Sequence, residues 1–275
     1  RDYIQQECGI ALGDGKAYLL RTRLAPLFPK LGCKTFRELY DRARADGRGP
    51  IRDQIIDAMT TNETLWFRDD GPWKILREEL LPRYCEQLQK DATKHRQIRI
   101  WSAASSTGQE PYSIAMAIHD YLSEHRLTGL DAKRFQILGT DICHDALRIA
   151  GAARYDQLAA ARGLDAAVRE RHFESDGQAI VVRPAVRALV RFQHLNLADS
   201  LQGLGHFDLI LCRNVLIYFS NQFKAQVVTK LRAALAEGGA LIVGSSESLQ
   251  GAFAHFELAR CGSHLYYRGK GKQAA

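Results

Sequence analysis

One acidic residue, Asp141, stands where an apolar segment over residues 135–140 would end as a strand. In an open α/β sheet, an acid at the end of the second strand commonly holds the ribose hydroxyls of a nucleotide-like ligand. The same residue could instead cap a helix over residues 142–150. One carboxylate serves both roles poorly, so the two interpretations remain alternatives. The first predicts a ligand site at the edge of a sheet.

A second polar pair, Arg213-Asn214, follows residues 209–212, which are apolar enough for a buried strand of a parallel sheet. The carboxyl ends of parallel strands meet at one edge, and ligands of such sheets bind there. We therefore expect this pair to lie at the same edge as Asp141.

The segment that would position these residues begins with an alternating run over residues 98–101, which predicts a strand. Small residues and then a helix over residues 112–121 follow, with Pro111 at its start. This order is typical of the opening unit of an α/β sheet. With Gly108 as its single glycine, the turn is neither a dinucleotide fingerprint nor a P-loop. A plain turn without function is the alternative.

Length and composition limit the classes of protein to which this chain could belong. The 275 residues allow one large domain or two modest ones, and no apolar run reaches the ~18–20 residues of a membrane span, so we expect no direct membrane insertion. Six scattered cysteines without a C-x-x-C pair, and nine histidines without ligand spacing, give no support for a metal site or a disulfide framework. Reduced thiols predict a cytoplasmic location. No signal peptide is visible, although the true N-terminus could lie upstream of Arg1.

The net charge of +7 predicts an acidic partner, and nucleic acid, an anionic membrane and an acidic protein surface all remain open. The basic residues concentrate in residues 15–37, which contain no acidic one. This segment is either a solvated helix face or a docking surface.

Helical patterns without strand patterns predict a small helical domain over residues 1–60, in which Thr35 caps a helix over residues 36–45. Residues 154–171 also predict helix. Residues 172–195 contain two short β-like runs and predict a small β insertion. Further predictions are a helix over residues 222–236, a strand over residues 240–244 and a closing hairpin over residues 253–267.

Five separated stretches resemble, in the same order, the CheR-type chemotaxis receptor methyltransferases. They are TTNETLWFRD (60–69), WSAASSTGQEPYSIAM (101–116), GTDI (139–142), FDLILCRNVLIYF (207–219) and GSSESL (244–249). The resemblance covers nearly the whole chain, and the ordered set of motifs is highly specific.

This resemblance implies methyl transfer from S-adenosyl-L-methionine to glutamate side chains on the cytoplasmic helices of chemoreceptors, with S-adenosyl-L-homocysteine as product. It implies an all-α receptor-docking domain over residues 1–60. It also implies an α/β, Rossmann-like methyltransferase domain over residues 61–275, with a linker over 61–74 and a small β subdomain inserted at about 172–195.

The motif positions imply a set of cofactor-binding residues. They are Asn62, Thr64, Arg68, Glu110, Asp141, Asn196, Leu197, Arg213 and Asn214. As catalytic residues we assign Arg68, which would orient either the acceptor carboxylate or the charged end of the cofactor, and Tyr218, which would shape the methyl channel. A glutamate, with a reference pKa of ~4.3, is ionised at neutral pH and needs no general base. This agrees with the lack of a Ser-His-Asp or paired-carboxylate pattern.

The expected partner is the cytoplasmic helical region of a chemoreceptor. The basic residues assigned to receptor docking are Arg21, Arg23, Lys30 and Lys34. Part of the family grips a receptor tail peptide through a longer glycine-containing loop, by strand addition. Here residues 173–178 hold one glycine, and Glu174 and Asp176 would repel an acidic peptide. We therefore predict that the tail peptide is not required, although strand addition remains an alternative.

The sequence departs from the family pattern at a few positions. Ala104-Ser105 stand where many members have Gly-Cys, Gln109 replaces a frequent glutamate, and Ser245 stands where a histidine is common. The alternatives are a nucleic-acid methyltransferase and a silent cofactor-binding adaptor. No Asn/Asp-Pro-Pro-Tyr/Phe motif follows residues 209–212, and no aromatic-rich basic patch is evident, so we expect no nucleic-acid partner.

Overall fold

The structure, a computed structural model, describes residues 1–249 and 255–270. Its first sixty residues form a helical unit, as the sequence predicts. The helices are α1 (Asp2–Cys8), α2 (Ala17–Leu24), α3 (Leu27–Leu31), α4 (Phe36–Asp46) and α5 (Pro50–Met59). Thr35 caps α4 by accepting a hydrogen bond from the amide of Glu38 at 3.2 Å. The apolar faces meet in a core that includes Ile4, Leu39 and Ile56.

The remaining helices belong to an α/β unit. A continuous helical run consists of α6 (Asp70–Lys74), a π-helical turn (Ile75–Leu80) and α7 (Leu81–Lys90). The others are α8 (Gln109–Glu124), α9 (His144–Ala152), α10 (Gln157–Ala161), α11 (Ala166–His172), α12 (Pro184–Arg187) and α13 (Asn221–Ala234). Helix α8 begins two residues before Pro111, which therefore lies within its first turn.

Strands of the described chain form two sheets. They are β1 (Ile98–Ala103), β2 (Phe135–Asp141), β3 (Arg154–Asp156), β4 (Phe173–Asp176), β5 (Ala179–Val182), β6 (Val190–His194), β7 (Phe207–Cys212), β8 (Leu235–Val243), β9 (Phe256–Cys261) and β10 (His264–Gly269). The large sheet has the order β6-β2-β1-β7-β8-β10-β9, and the small one β3-β5-β4.

The large sheet creates the site through its connectivity. Strands β6, β2, β1, β7 and β8 are parallel, and β10 and β9 form an antiparallel end. The strand order reverses between β1 and β7, and such a switch point opens a crevice at the carboxyl ends of the strands. The central strands are rich in apolar residues because both faces of the sheet are covered by other parts of the chain. In β1, for example, Ile98, Ile100 and Trp101 are all buried.

The prediction for the β insertion was wrong in two respects. The run at residues 189–192 belongs to β6, which pairs with β2 in the large sheet. The third strand of the small sheet is β3, inside the segment predicted as helix over residues 154–171. Three-residue strands are too short for a sequence period, and β3 exists because β5 pairs with it. Tyr155 is buried there under Trp66.

Smaller differences concern element ends. Strand β8 begins at Leu235 rather than at residue 240, because a register irregularity lets Leu235 pair with Phe207. Asp141 does not cap α9, whose N-cap position is Cys143. The predicted closing hairpin is present as β9 and β10, while residues 253 and 254 lie outside the described residues. In the part of the chain that the structure covers, no helix is long and apolar enough to cross a membrane.

Candidate active site

An open cleft lies at the switch point of the large sheet, bounded by the carboxyl ends of its strands, by residues 59–68 and by α1. All the residues to which the sequence assigned cofactor or catalytic roles line this one cleft. They are Asn62, Thr64, Arg68, Glu110, Asp141, Asn196, Leu197, Arg213, Asn214 and Tyr218. Ligand sites of α/β sheets occur at such positions.

The carboxylate of Asp141 holds the turn after β1. Its Oδ2 accepts a hydrogen bond from the amide of Ser106 at 2.7 Å, and its Oδ1 accepts one from the amide of Cys143 at 2.9 Å. Burial raises the pKa of Asp141 above its ordinary value, and these amides act in the opposite direction. Each oxygen keeps a second lone pair, so Asp141 can still accept hydrogen bonds from the hydroxyl groups of a ligand.

The turn itself needs unusual backbone geometry. Ala104, Ser106 and Gly108 all have positive φ angles, of 59°, 51° and 94°. A side chain at Gly108 would collide with its surroundings, since a Cβ there would lie 2.9 Å from that of Ala150. The turn thus approaches α9 closely, and the amide of Ser106 points to Asp141.

A buried ion network crosses the cleft. Arg213 Nη1 donates to Glu110 Oε2 at 2.7 Å, and Arg213 Nη2 donates to Asp69 Oδ2 at 2.8 Å. Glu110 Oε1 in turn accepts from the hydroxyl of Ser102 at 2.7 Å. The network fixes the start of α8 against the end of β7.

Two residues that line the cleft each have a buried polar atom without a protein partner: Nε of Arg213 and Oγ of Ser105. Native proteins rarely leave buried donors unpaired, and such groups commonly bind a ligand or water.

The linker over residues 61–74 is fastened to the α/β unit. Asn62 donates to Cys143 Sγ at 3.2 Å and accepts, through its carbonyl, from Ser106 Oγ at 2.9 Å. Trp66 is 1% exposed, and its indole nitrogen donates to the carbonyl of Ala159 at 3.0 Å. These contacts bring Arg68 to the cleft, where its guanidinium makes a 3.3 Å bond to the carbonyl of Glu63.

The loop with Asn196 and Leu197 is held from two sides. Asn196 Nδ2 donates to the carbonyl of Glu7 in α1 at 2.6 Å, and its Oδ1 accepts from the amide of Ala198 at 2.9 Å. Lys230 of α13 donates to the carbonyl of Leu197 at 3.1 Å. The side-chain amide of Asn196 thus joins the helical unit to the cleft, a use that the sequence did not predict.

The residues near the cleft that sequence reasoning missed include Cys8, Ile10 and Glu247. Cys8 and Ile10, from the helical unit, form part of its wall. Glu247 is buried and accepts hydrogen bonds from the loop that carries Asn214. The sequence feature that could have indicated Glu247 is the GSSESL motif, to whose glutamate no role was assigned. Ser245, one of the departures from the family pattern, is exposed.

Among the residues predicted to dock the receptor, Arg21, Lys30 and Lys34 are exposed on the helical unit. Arg23 differs, because its guanidinium donates to the carbonyls of Met59 at 2.6 Å and Thr60 at 3.1 Å. It therefore closes the end of α5 and steadies the start of the linker.

The acidic residues of the small sheet, which were expected to repel a tail peptide, are paired with arginines. Glu174 pairs with Arg183 at 3.6 Å, and Asp176 pairs with Arg154. Their charges are compensated, so the expected repulsion of an acidic peptide loses its basis. The short connection remains, since β4 and β5 are joined by the two residues 177–178.

Comparison with known proteins agrees with this geometry. The family model described as "CheR methyltransferase, all-alpha domain" matches residues 1–60, and that described as "CheR methyltransferase, SAM binding domain" matches residues 62–264. Chemotaxis protein methyltransferase Cher2 of Pseudomonas putida is 41% identical over 98% of this chain and 96% of its own length. A chemotaxis protein methyltransferase of Vibrio parahaemolyticus is 43% identical over 98% and 94%.

Proposed function

This chain belongs to the CheR methyltransferase family, and on that premise we propose that it methylates glutamate side chains of chemoreceptors, producing glutamyl methyl esters. The predictions of the family, of the fold class, of methylation in chemotaxis and of S-adenosyl-L-methionine as cofactor are confirmed. The glutamate acceptor is our inference. The observation that carries it is the guanidinium of Arg68, which lines the cleft, bonds to the neutral carbonyl of Glu63 and can pair with an acceptor carboxylate that is already ionised.

We propose that Asp141 holds the ribose hydroxyls and that Glu110, Asn62 and Thr64 bind other polar parts of the cofactor. Asn196 and Leu197 line the cofactor pocket, and Asn214 makes a further polar contact with the cofactor.

The cofactor supplies an electrophilic methyl group on a sulfonium. The chain has to align an acceptor carboxylate with it and exclude water, and alignment of this kind can lower a barrier by roughly 7–11 kcal/mol. Arg68 is suited to aligning the acceptor because its guanidinium donates a hydrogen bond to a neutral carbonyl, that of Glu63, and so keeps its positive charge for a carboxylate. Tyr218, on the opposite loop, shapes the approach of the acceptor.

Receptor docking is proposed for residues 1–60, with residues 61–275 as the catalytic unit and a cytoplasmic location. Arg21, Lys30 and Lys34 present positive charge on the exposed side of the helical unit, and acidic receptor helices would complement it. Arg23 supports this surface through the backbone rather than by contact with the receptor.

We also propose that a receptor tail peptide is not required. The support is the two-residue connection between β4 and β5, which leaves no extended loop to cover an added strand. Methylation rates of one receptor with and without its C-terminal tail should be equal. A large loss of rate on tail removal would contradict the proposal.

Incubation with S-adenosyl-L-methionine carrying a labelled methyl group tests the function. We expect label in chemoreceptor cytoplasmic fragments and none in RNA or DNA. Label in nucleic acid would favour a nucleic-acid methyltransferase, and cofactor binding without transfer to any of them would favour an adaptor.

A further inference from the structure

Glu247 is a buried carboxylate to which neither the family motifs nor the proposed reaction assigns a role. It is 9% exposed, in the turn that follows β8. Its Oε2 accepts hydrogen bonds from the amides of Gly244 and Asn214, both at 2.8 Å, and its Oε1 accepts one from the amide of Ile217 at 3.2 Å. One carboxylate thus joins the turn after β8 to the loop after β7.

The turn is built to deliver this carboxylate. The amide of Glu247 donates to the carbonyl of Gly244 at 2.9 Å, which folds the side chain back over the turn. A Cβ at Gly244 would lie 2.7 Å from Glu247 Oε2 and 3.0 Å from the amide nitrogen of Asn214. A side chain at Gly244 would therefore crowd both the carboxylate and the loop, so that Gly244 and Glu247 act as one unit.

The loop that Glu247 holds, residues 213–219, forms one wall of the cleft. Asn214 has a φ angle of 58°, in the left-handed region that asparagine adopts more readily than most non-glycine residues. Glu247 fixes the residue there, because the amide of Asn214 donates a hydrogen bond to its carboxylate. At the far end of the loop, the carbonyl of Tyr218 accepts from the amide of Ala11 at 2.8 Å.

We propose that Glu247 is a positioning residue for methyl transfer, whose carboxylate fixes residues 213–219 in the conformation that binds the cofactor. It acts through Asn214 and the backbone of Ile217, and it is separated from the cleft by them. The proposal rests on the methyltransferase function but is independent of which acceptor is methylated, so its test measures cofactor binding.

The test is Glu247→Gln, which keeps the size of the side chain. An amide has one acceptor oxygen, so at least one of the three backbone bonds is lost. We expect the affinity for S-adenosyl-L-methionine, measured by calorimetry, to fall about tenfold, as the loss of one charge-assisted hydrogen bond would give. Without cofactor, amide hydrogens of residues 213–219 should exchange faster than in the wild type.

The control is Asp208→Asn. Asp208 also accepts a backbone hydrogen bond, from the amide of Arg99 at 2.9 Å, but at the start of β7, far from the cleft edge. The Asp208→Asn variant should have a lower melting temperature, while its cofactor affinity and its amide exchange in residues 213–219 stay as in the wild type. Should Glu247→Gln fail to fold, Gly244→Ala decides, since it displaces the carboxylate without removing it. Wild-type affinity and exchange in the folded variant would overturn the proposal.

Discussion

Arg213 and Glu110 form a buried ion pair at 2.7 Å, with side-chain exposures of 2% and 14%. The pair links the end of β7 to the first turn of α8, across the point where the order of the sheet reverses. Asp69 completes the compensation of the guanidinium charge, and both Arg213 and Glu110 line the cleft. The ion pair is therefore part of both the fold and the site.

Removal of this pair should affect stability and binding together. Glu110→Gln should lower the free energy of unfolding by about 1.5–3 kcal/mol, the usual contribution of a hydrogen bond to a charged group. Cofactor affinity should fall as well, since Arg213 loses its orientation. Glu79→Gln is a matched control, because Glu79 pairs with Arg268 at 2.6 Å outside the cleft. Denaturant unfolding and calorimetry measure both quantities, and unchanged affinity in Glu110→Gln would contradict the assignment.

Acid should weaken cofactor binding through Asp141. Burial raises its pKa above 3.8, so on acidification the carboxylate is protonated earlier than an exposed one. A protonated carboxyl is a poorer acceptor for ribose hydroxyls, and affinity should therefore fall as the pH is lowered through this raised pKa. Calorimetry from about pH 7 to about pH 4 covers the change, given the ordinary range of aspartate pKa values. Asp141→Asn should bind weakly and lack this dependence; an equal pH dependence in both proteins would exclude Asp141 as the cause.

Arg68 should act on turnover more than on cofactor binding. Arg68→Ala is expected to lower kcat by about 100-fold or more and to leave cofactor affinity nearly unchanged, as for a group that acts mainly in the transition state. Arg162→Ala serves as the control, because Arg162 pairs with Glu63 at 2.9 Å without lining the cleft. Steady-state kinetics with a receptor fragment decide. Normal kcat with a raised KM would show that Arg68 only binds.

The docking surface should respond to charge and to salt. Arg21→Glu should raise the KM for receptor and leave cofactor affinity unchanged, while Arg260→Glu, an equal charge change at an exposed residue of β9, should alter neither. Activity should also fall with rising salt, since surface attraction is screened over ~8–10 Å near physiological ionic strength. Arg23 is unsuitable for this test because it holds the end of α5. Flat salt dependence and a normal KM would favour a solvated helix face.

The sequence predicted the parts of the fold that depend on local pattern. Strand β2 with Asp141 at its end and the capped helix α4 followed from periodicity and capping residues. Strands β3 and β6 were misplaced because their partners, β5 and β2, decide to which sheet they belong, and pairing over such distances leaves no local signal.

The site shows the same division. Residues at motif positions could be named from the sequence, and the structure places them on one cleft. The second role of Asn196, as donor to the carbonyl of Glu7, and the support by Glu247 depend on residues distant in the chain. No spacing rule within a single sequence predicts such contacts.

The central claim is that the acceptor is a glutamate carboxylate. The most direct test is to map the methyl groups on a receptor fragment by mass spectrometry after incubation with enzyme and S-adenosyl-L-methionine. We expect methyl groups on glutamate residues only, released by mild alkali as esters are, and absent when those glutamates are changed to alanine. Alkali-stable methyl groups on lysine, arginine or another side chain would contradict the account.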